Sequence, residues 1–524
     1  MWGIAVTLEM GGSSSGDAGA ELDGTGRGTD AAPAQVVALR SALETGDWSS
    51  LALFDHMDWV IVWFHVPHQE LRELLSAAPV DALQGNLVAE MCLRLMRGEP
   101  LGPGPGMYDA PGVPGPLRKI VLSIVLRLQG KVTEAHELAV DAHDELGANE
   151  TTLLENSWGS LPLIWLQLGI TALLAGDLTR AEAWLLRATE APPGPLGFTS
   201  RDAHAKLAVL HAAFGSPSVA REAIARGRAL PRGGSWVEDG IDRELELAEA
   251  LLETPLPSSS AEFSLASWRE AGELWPFALR CQFRRMIAHR ELDAVEHHLA
   301  TLEAMRLPGT DGQGFAAAIV PLTYTVLRLI QGRPHEAAQF VARAPQQLLP
   351  SRVVGARVAL ANSEWARAKM LAAAAAADAA GFLQLRFEAE SIVAAASVMR
   401  EDAEADDVVA SLAGEVDQAS LFSRRVVPIE VREFASSRAT SDARLAPLAA
   451  PEDPPLYPSV RAVTLSPRER EVLRLLSSEA SIADIAAQLY LSVNTVKTHV
   501  RGIYRKLGVT NREDAVVAGR AAGY

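Results

Sequence analysis

The stretch LSPREREVLRLL (Leu465–Leu476), followed by SIADIAAQLYLSVNTVKTHVRGIYRKLGVTNREDAVV (Ser481–Val517), has its helix boundaries spelled out in residues. Ser466, Pro467 and Glu469 supply an N-cap, a first-position proline and the partner of a capping box, which predicts a helix from Pro467. Its residues Val472, Leu473, Leu475 and Leu476 make one apolar stripe. Ser481 caps a second helix that turns Ile482, Ile485, Ala486 and Leu489 inward. The short turn Tyr490-Leu491-Ser492 leads into a third, from Val493 to about Leu507, where Gly508 ends it. A fourth begins near Arg512. Helices joined this tightly cross steeply, with the second projecting outward. The pattern is a helix-turn-helix.

The third helix sorts its residues by face. Val493, Val496, Val500, Ile503 and Leu507 follow three-and-four spacing toward a small core. The opposite face carries Asn494, Lys497, Thr498, Arg501 and Arg505. An α-helix fits the major groove of B-DNA, where Lys and Arg donate to guanine and Thr meets a thymine methyl. Thr495, His499, Tyr504 and Lys506 lie toward the edges, where phosphate oxygens are the natural partners. Unpaired N–H groups at the start of the helix favour a phosphate too. A solvated basic face on a small bundle is the bland alternative.

These sixty residues resemble the LuxR-type DNA-binding domain of bacterial transcription regulators. The resemblance rests on LSPREREVL (Leu465–Leu473), IAAQL (Ile485–Leu489), LSVNTVKTHV (Leu491–Val500) and IYRKLGV (Ile503–Val509). It implies base contacts from Lys497, Thr498 and Arg501, and phosphate contacts around Thr495 and His499, with Arg505 and Lys506 added from their place on the helix. It also implies a dimer-forming role for the fourth helix. Two positions depart from the family pattern: Glu479 stands where Gly is usual, and Ile482 replaces a customary polar residue.

A chain of 524 residues exceeds one hydrophobic core, so more than one domain is expected. No apolar run approaches the ~20 residues of a membrane helix. Met1–Met10 is apolar but has no basic flank or cleavage site, and Met10 is an alternative start. Cys92 and Cys281 stand alone without CxxC spacing, which fits a reducing cytoplasm. The net charge of −17 is uneven. From Leu465 onward nine basic residues face six acidic ones, giving +3 and leaving −20 for the remainder. An acidic bulk tethered to a mildly basic tip weakens indiscriminate attraction to DNA and puts the weight on base contacts and dimerisation.

Residues 1–34 are rich in Gly, Ser and Asp and are expected to be disordered. Gly12-Ser13-Ser14-Ser15-Gly16 and Gly24-Thr25-Gly26-Arg27-Gly28 mimic catalytic and nucleotide loops, but neither has the flanking strand such loops need. With no GxxxxGK[ST] either, an enzyme is not expected, nor a cofactor. Residues 35–428 read as helical, with Trp59-Val60-Ile61-Val62-Trp63-Phe64 as core and a loop over Gly98–Pro116. His65, His68, His289, His297 and His298 are accounted for by amphipathic placement, so no metal is assigned.

Beyond Leu117 a repeat appears. Its clearest copy, Leu161–Pro193, has Trp165, Leu168, Gly169, Gly176-Asp177-Leu178, Ala181, Leu185 and Ala188, spacings that resemble the tetratricopeptide repeat. Weaker copies centre on Gly130, Gly215 and Gly332. Arg290–Met305 and Ser363–Ala380 read as second helices of further hairpins. Residues 429–464 turn polar and Pro-rich and are expected to be a linker.

The fold class expected is therefore all-α: a tetratricopeptide-like α-solenoid, a linker, and a four-helix LuxR-type helix-turn-helix domain over 465–524. The arrangement looks like the carboxy-terminal half of large maltose-regulator-like proteins without the ATPase module. It implies a cytoplasmic transcription regulator that binds double-stranded DNA as a homodimer. Its helical body would take a small-molecule or protein effector; RNA polymerase is a further candidate partner, and a membrane is not. The rival is an interaction scaffold whose terminal domain only dimerises.

Overall fold

The structure is a computed structural model that describes residues 32–79, 88–89, 92, 115–146, 160–252, 271–305, 307, 312–449, 454–459, 465–478, 480–507 and 509–521. Every regular element among them is a helix. The two glycine-rich loop mimics, Met10, Glu479, Gly508 and nearly all of the Gly98–Pro116 loop fall outside these residues. None of the described helices is long and apolar enough to cross a membrane.

The chain divides into two compact units. One comprises Met1–Ala213, Pro217–Gln282 and Leu307–Ala316; the other comprises Phe214–Ser216, Phe283–Arg306 and Ala317–Tyr524.

In the first unit, α1 (Ala34–Thr45), α2 (His56–His65) and α3 (His68–Ala77) gather around Leu39, Trp59, Val62, Leu71 and Leu74. The aromatic run is core, as its brevity and apolarity suggested. Hairpins follow: α4 (Gly115–Leu128) with α5 (Val132–Glu145), α6 (Ser160–Ala175) with α7 (Leu178–Ala188), and α8 (Phe198–Ala213) with α9 (Pro217–Ala229). First helices also pack on the first helices of neighbouring hairpins, α6 on both α4 and α8, which is the solenoid pattern. Within the hairpin, Gly169 of α6 lets α7 come close, since a Cβ there would lie 2.7 Å from Leu185 Cγ. Asp177 caps α7 through the Arg180 amide at 3.1 Å.

Between α8 and α10 (Glu238–Leu252) runs a buried ionic network. Arg201 donates to Glu238 Oε2 at 2.6 Å, to Asp242 and to the Gly227 carbonyl. One turn along, Lys206 binds Asp202 and Glu244. Burial first, then the partly offsetting Lys206 ammonium and the repelling Asp202, leave the Glu244 carboxyl at about 7. The periodic apolar pattern gave no warning of these charges.

The second unit holds α12 (Leu292–Met305), then α14 (Pro334–Val341), α15 (Leu349–Ala361), α16 (Trp365–Asp378), α17 (Leu383–Met399), α18 (Ala405–Glu415) and α19 (Leu421–Arg425). The helices α11 (Trp275–Ala288) and α13 (Gly314–Ile330) contribute residues to both units. Leu292–Met305 and Trp365–Asp378 are second helices of hairpins, in line with the reading of Arg290–Met305 and Ser363–Ala380.

One turn recurs. A residue in the left-handed region ends the first helix, and the next amide bonds five residues back, as Lys131 N to Leu126 O (2.9 Å) and Asp177 N to Ala172 O (3.0 Å). The left-handed residue is Gly130, Gly176 or Gly332 at the hairpins seen in sequence, but Arg290, Ser363 or Glu401 elsewhere. Gly215 is not left-handed, so the third glycine-centred copy closes by another route. A side chain in this region costs about 1–2 kcal/mol, against the chain entropy that glycine adds to the unfolded state. Glu401→Gly is therefore expected to stabilise its hairpin by roughly 0.5 kcal/mol, read as slower amide exchange across Leu383–Met399. Faster exchange would refute it.

The segment 429–464, expected to be a linker, is partly structured. It contains α20 (Ile429–Arg438) and α21 (Ala446–Ala449), and Val431, Ala435, Leu448 and Leu456 are buried. Composition misled here because Val431 and Ala435, one turn apart, suffice to seat a short helix on α17.

Candidate nucleic-acid interface

The terminal domain is built on its own core of Leu465, Val472, Leu473, Leu476, Ile485, Ala486, Leu489, Val496, Val500, Ile503, Leu507, Val509, Ala515 and Ala518. Four helices supply it: α22 (Pro467–Leu476), α23 (Ile482–Gln488), α24 (Val493–Leu507) and α25 (Arg512–Ala521). The Ser466–Glu469 capping box forms, with the Ser466 amide donating to Glu469 Oε2 at 2.7 Å. Ser481 and Asp484 make a second box, with Asp where Glu or Gln is usual. Ile482 is half-buried against the core, so the apolar departure is accommodated. Between α22 and α25, Gly519 allows contact: a Cβ there would lie 2.4 Å from Leu473 Cδ2.

The turn before α24 depends on Tyr490, which takes φ +54° and is 96% exposed. Its helix end is the same clasp found in the hairpins, with Leu491 N bonded to Ala486 O at 2.9 Å. Ser492 then caps α24, accepting from the Thr495 amide at 3.1 Å. The sequence marks Tyr490 as part of a turn but not as left-handed, because Gly or Asn is the residue that advertises that backbone.

On α24 the structure turns Val496, Val500, Ile503 and Leu507 inward. Val493, read as a fifth inward residue, is 42% exposed. It sits in the first turn, beyond the reach of the core. Asn494, Thr495, Lys497, Thr498, Arg501 and Arg505 are exposed on one side, while His499, Tyr504 and Lys506 are half-buried at its margins. Thr498 Oγ1 donates to the Asn494 carbonyl at 3.0 Å.

Three other cations in the domain are occupied internally. Lys506 Nζ lies 2.6 Å from Glu469 Oε2, joining α24 to the start of α22. Arg468 donates to the Leu489 carbonyl at 2.6 Å, and Arg512 donates to Leu476 O at 2.9 Å. Both close carbonyls that a helix end cannot satisfy itself. By contrast, Lys497, Arg501 and Arg505 make no hydrogen bond or ion pair with the described residues. The sequence named Lys506 for a phosphate; its ammonium is engaged with Glu469, so it positions α24 and could meet a phosphate only while sharing that bond. Such a pairing, 37 residues apart, leaves no local trace in sequence.

Residues 463–518 match the family described as bacterial regulatory proteins, luxR family. The chain is 54% identical over 55 residues to the probable transcriptional regulatory protein NarL of Mycobacterium tuberculosis, covering 10% of this chain and 26% of that protein. It is 46% identical over 66 residues to the HTH-type transcriptional regulator MalT of Klebsiella pneumoniae, covering 13% of this chain and 7% of that protein. The match thus spans about a quarter or less of these relatives' length. The carboxy-terminal domain is a LuxR-type helix-turn-helix domain.

Proposed function

We propose that this chain is a sequence-specific DNA-binding transcription regulator, working in the cytoplasm, whose helical body controls when two terminal domains act together. The carrying observation is the exposed face of α24, where Lys497, Arg501 and Arg505 project beside Thr498 with no partner among the described residues. A helix with unpaired cations on one face and a rigid core on the other suits the major groove. Lys497, Thr498 and Arg501 are assigned to bases; Thr495, His499 and Arg505 to phosphates, with Lys506 sharing its ammonium. The exposed Tyr490 hydroxyl, beside the start of α24, is placed for a further phosphate.

One short helix makes few base contacts, so a lone domain binds weakly. Two domains on adjacent half-sites gain by effective concentration. The fourth helix, with Val517 61% exposed, is the proposed contact between copies. We assign residues 35–449 to the body, a ligand or partner protein to its control, and RNA polymerase to the downstream contact.

Selection of bound fragments from sheared genomic DNA tests the reading, with a discrete set of related sites expected. Recovery in proportion to abundance would refute it. On such a site, Lys497→Ala and Arg501→Ala are each expected to cost about 1–3 kcal/mol and to relax preference at one base pair. Equal loss on every sequence would reassign them to phosphates.

A further inference from the structure

We infer that the second unit contains a binding site for an extended, proline-rich peptide, and that the chain fills it with its own residues Pro454–Ser459. The segment reads Pro-Pro-Leu-Tyr-Pro-Ser, a composition that favours an open, extended backbone with little ordering cost. It is held by main chain and side chain together. Arg290 donates to two successive carbonyls, Pro455 O at 3.0 Å and Leu456 O at 3.2 Å. Leu456 N–H donates to the Arg425 carbonyl at 2.8 Å. That carbonyl closes the short helix Leu421–Arg425, whose end has no helical donor for it.

Side-chain selection comes from three positions. Leu456 is 1% exposed and is the anchor. The buried Arg357 guanidinium lies 4.7 Å from the Tyr457 ring centre, a cation–π geometry. Ser459 Oγ donates to Glu430 Oε1 at 2.6 Å. Arg290 reaches its two carbonyls from a left-handed turn, a position held by Gly130, Gly176 and Gly332 in three hairpins and by Ser363 and Glu401 in two others.

For its effect on DNA, the inference rests on the function proposed above. From Ser459 to Leu465 there are six residue steps, which span at most about 20 Å; from Ala449, the last residue of α21, sixteen steps span at most about 55 Å. Two heads on half-sites about 34–36 Å apart draw on one tether from each copy. Clamping the segment cuts the reach of each tether to less than half, and a competing peptide of the same chemistry would restore it.

The test uses a fluorescent synthetic peptide with the sequence of residues 451–461 and no DNA. The full chain carrying Leu456→Ala and Tyr457→Ala is expected to bind it saturably, one to one. The unmodified chain should bind at least tenfold more weakly, being filled already, and Arg290→Ala added to the double variant should lower uptake at least tenfold. No saturable uptake by the double variant, equal uptake by the unmodified chain, or indifference to Arg290→Ala would each overturn the site. Should the double variant lose its helical circular dichroism, the unmodified chain decides. Excess free peptide should then speed amide exchange at Leu456, Tyr457 and Ser459, and unchanged rates overturn the site. Failure here leaves the DNA reading untouched, and failure of site selection on genomic DNA leaves this one untouched.

Discussion

Glu469→Ala is expected to destabilise the terminal domain by roughly 2–3 kcal/mol, the sum of a lost capping partner and a lost charge-assisted bond. Glu469 receives the Ser466 amide and the Lys506 ammonium on one carboxylate, and it is largely buried. Removing it takes the acceptor from the Ser466 amide and this carboxylate from Lys506, while Ser466 Oγ still caps the first turn. It also removes a polar tie between α22 and α24, leaving the face carrying Lys497 and Arg501 held by the apolar core. Glu469→Gln keeps the cap geometry and should cost less. Amide exchange at Val472 and Val500 in the full chain measures both, and equal losses for the two variants would refute the part given to the charge.

The same carboxyl predicts a pH response. Burial pushes its pKa up, but Lys506 and then Ser466 outweigh burial and hold it below the ordinary glutamate value. A depressed pKa contributes stability that is complete above the unfolded value, about 4.3, and is lost as pH falls through the lower folded one. Loss of exchange protection in α22 and α24 should therefore begin only in acid below that point, and the acid step should vanish in Glu469→Gln.

Arg201→Met is expected to cost the first unit about 3–5 kcal/mol, because it strands a buried carboxylate. The Arg201 and Glu238 side chains are 5% and 2% exposed, so water cannot replace the lost partner. Adding Glu238→Leu removes the orphaned charge and should recover much of the loss, since a packed apolar pair often equals a buried ion pair. Thermal unfolding of the single and double variants checks this. A single-variant loss near 1 kcal/mol would show that the network is wet and weak.

What could be read from sequence had local causes. Ser466, Pro467 and Glu469 announce a helix within four residues, and Gly130, Gly176 and Gly332 announce turns by the one residue suited to them. Arg290, Ser363, Glu401 and Tyr490 adopt the same backbone without the residue that advertises it, because the six-residue clasp holds them there. Hence the repeat looked degenerate where its geometry is regular. The grip on Pro454–Ser459 and the Lys506–Glu469 pair join residues far apart in the chain, and nothing in either short segment specifies its partner. That Lys497, Thr498 and Arg501 share an exposed face was visible because a helix displays its faces through spacing; their proposed assignment to bases came from the family resemblance.

With Lys506, Arg468 and Arg512 committed to the domain's own carbonyls and carboxylates, composition overstates the cation supply that can displace condensed counterions. On the proposed reading each head would release few of them on contact, and occupancy of a site is expected to respond only gently to swings in cellular potassium. Such a reader would hold its address through osmotic stress, when proteins that cling by a broad positive surface are shaken loose.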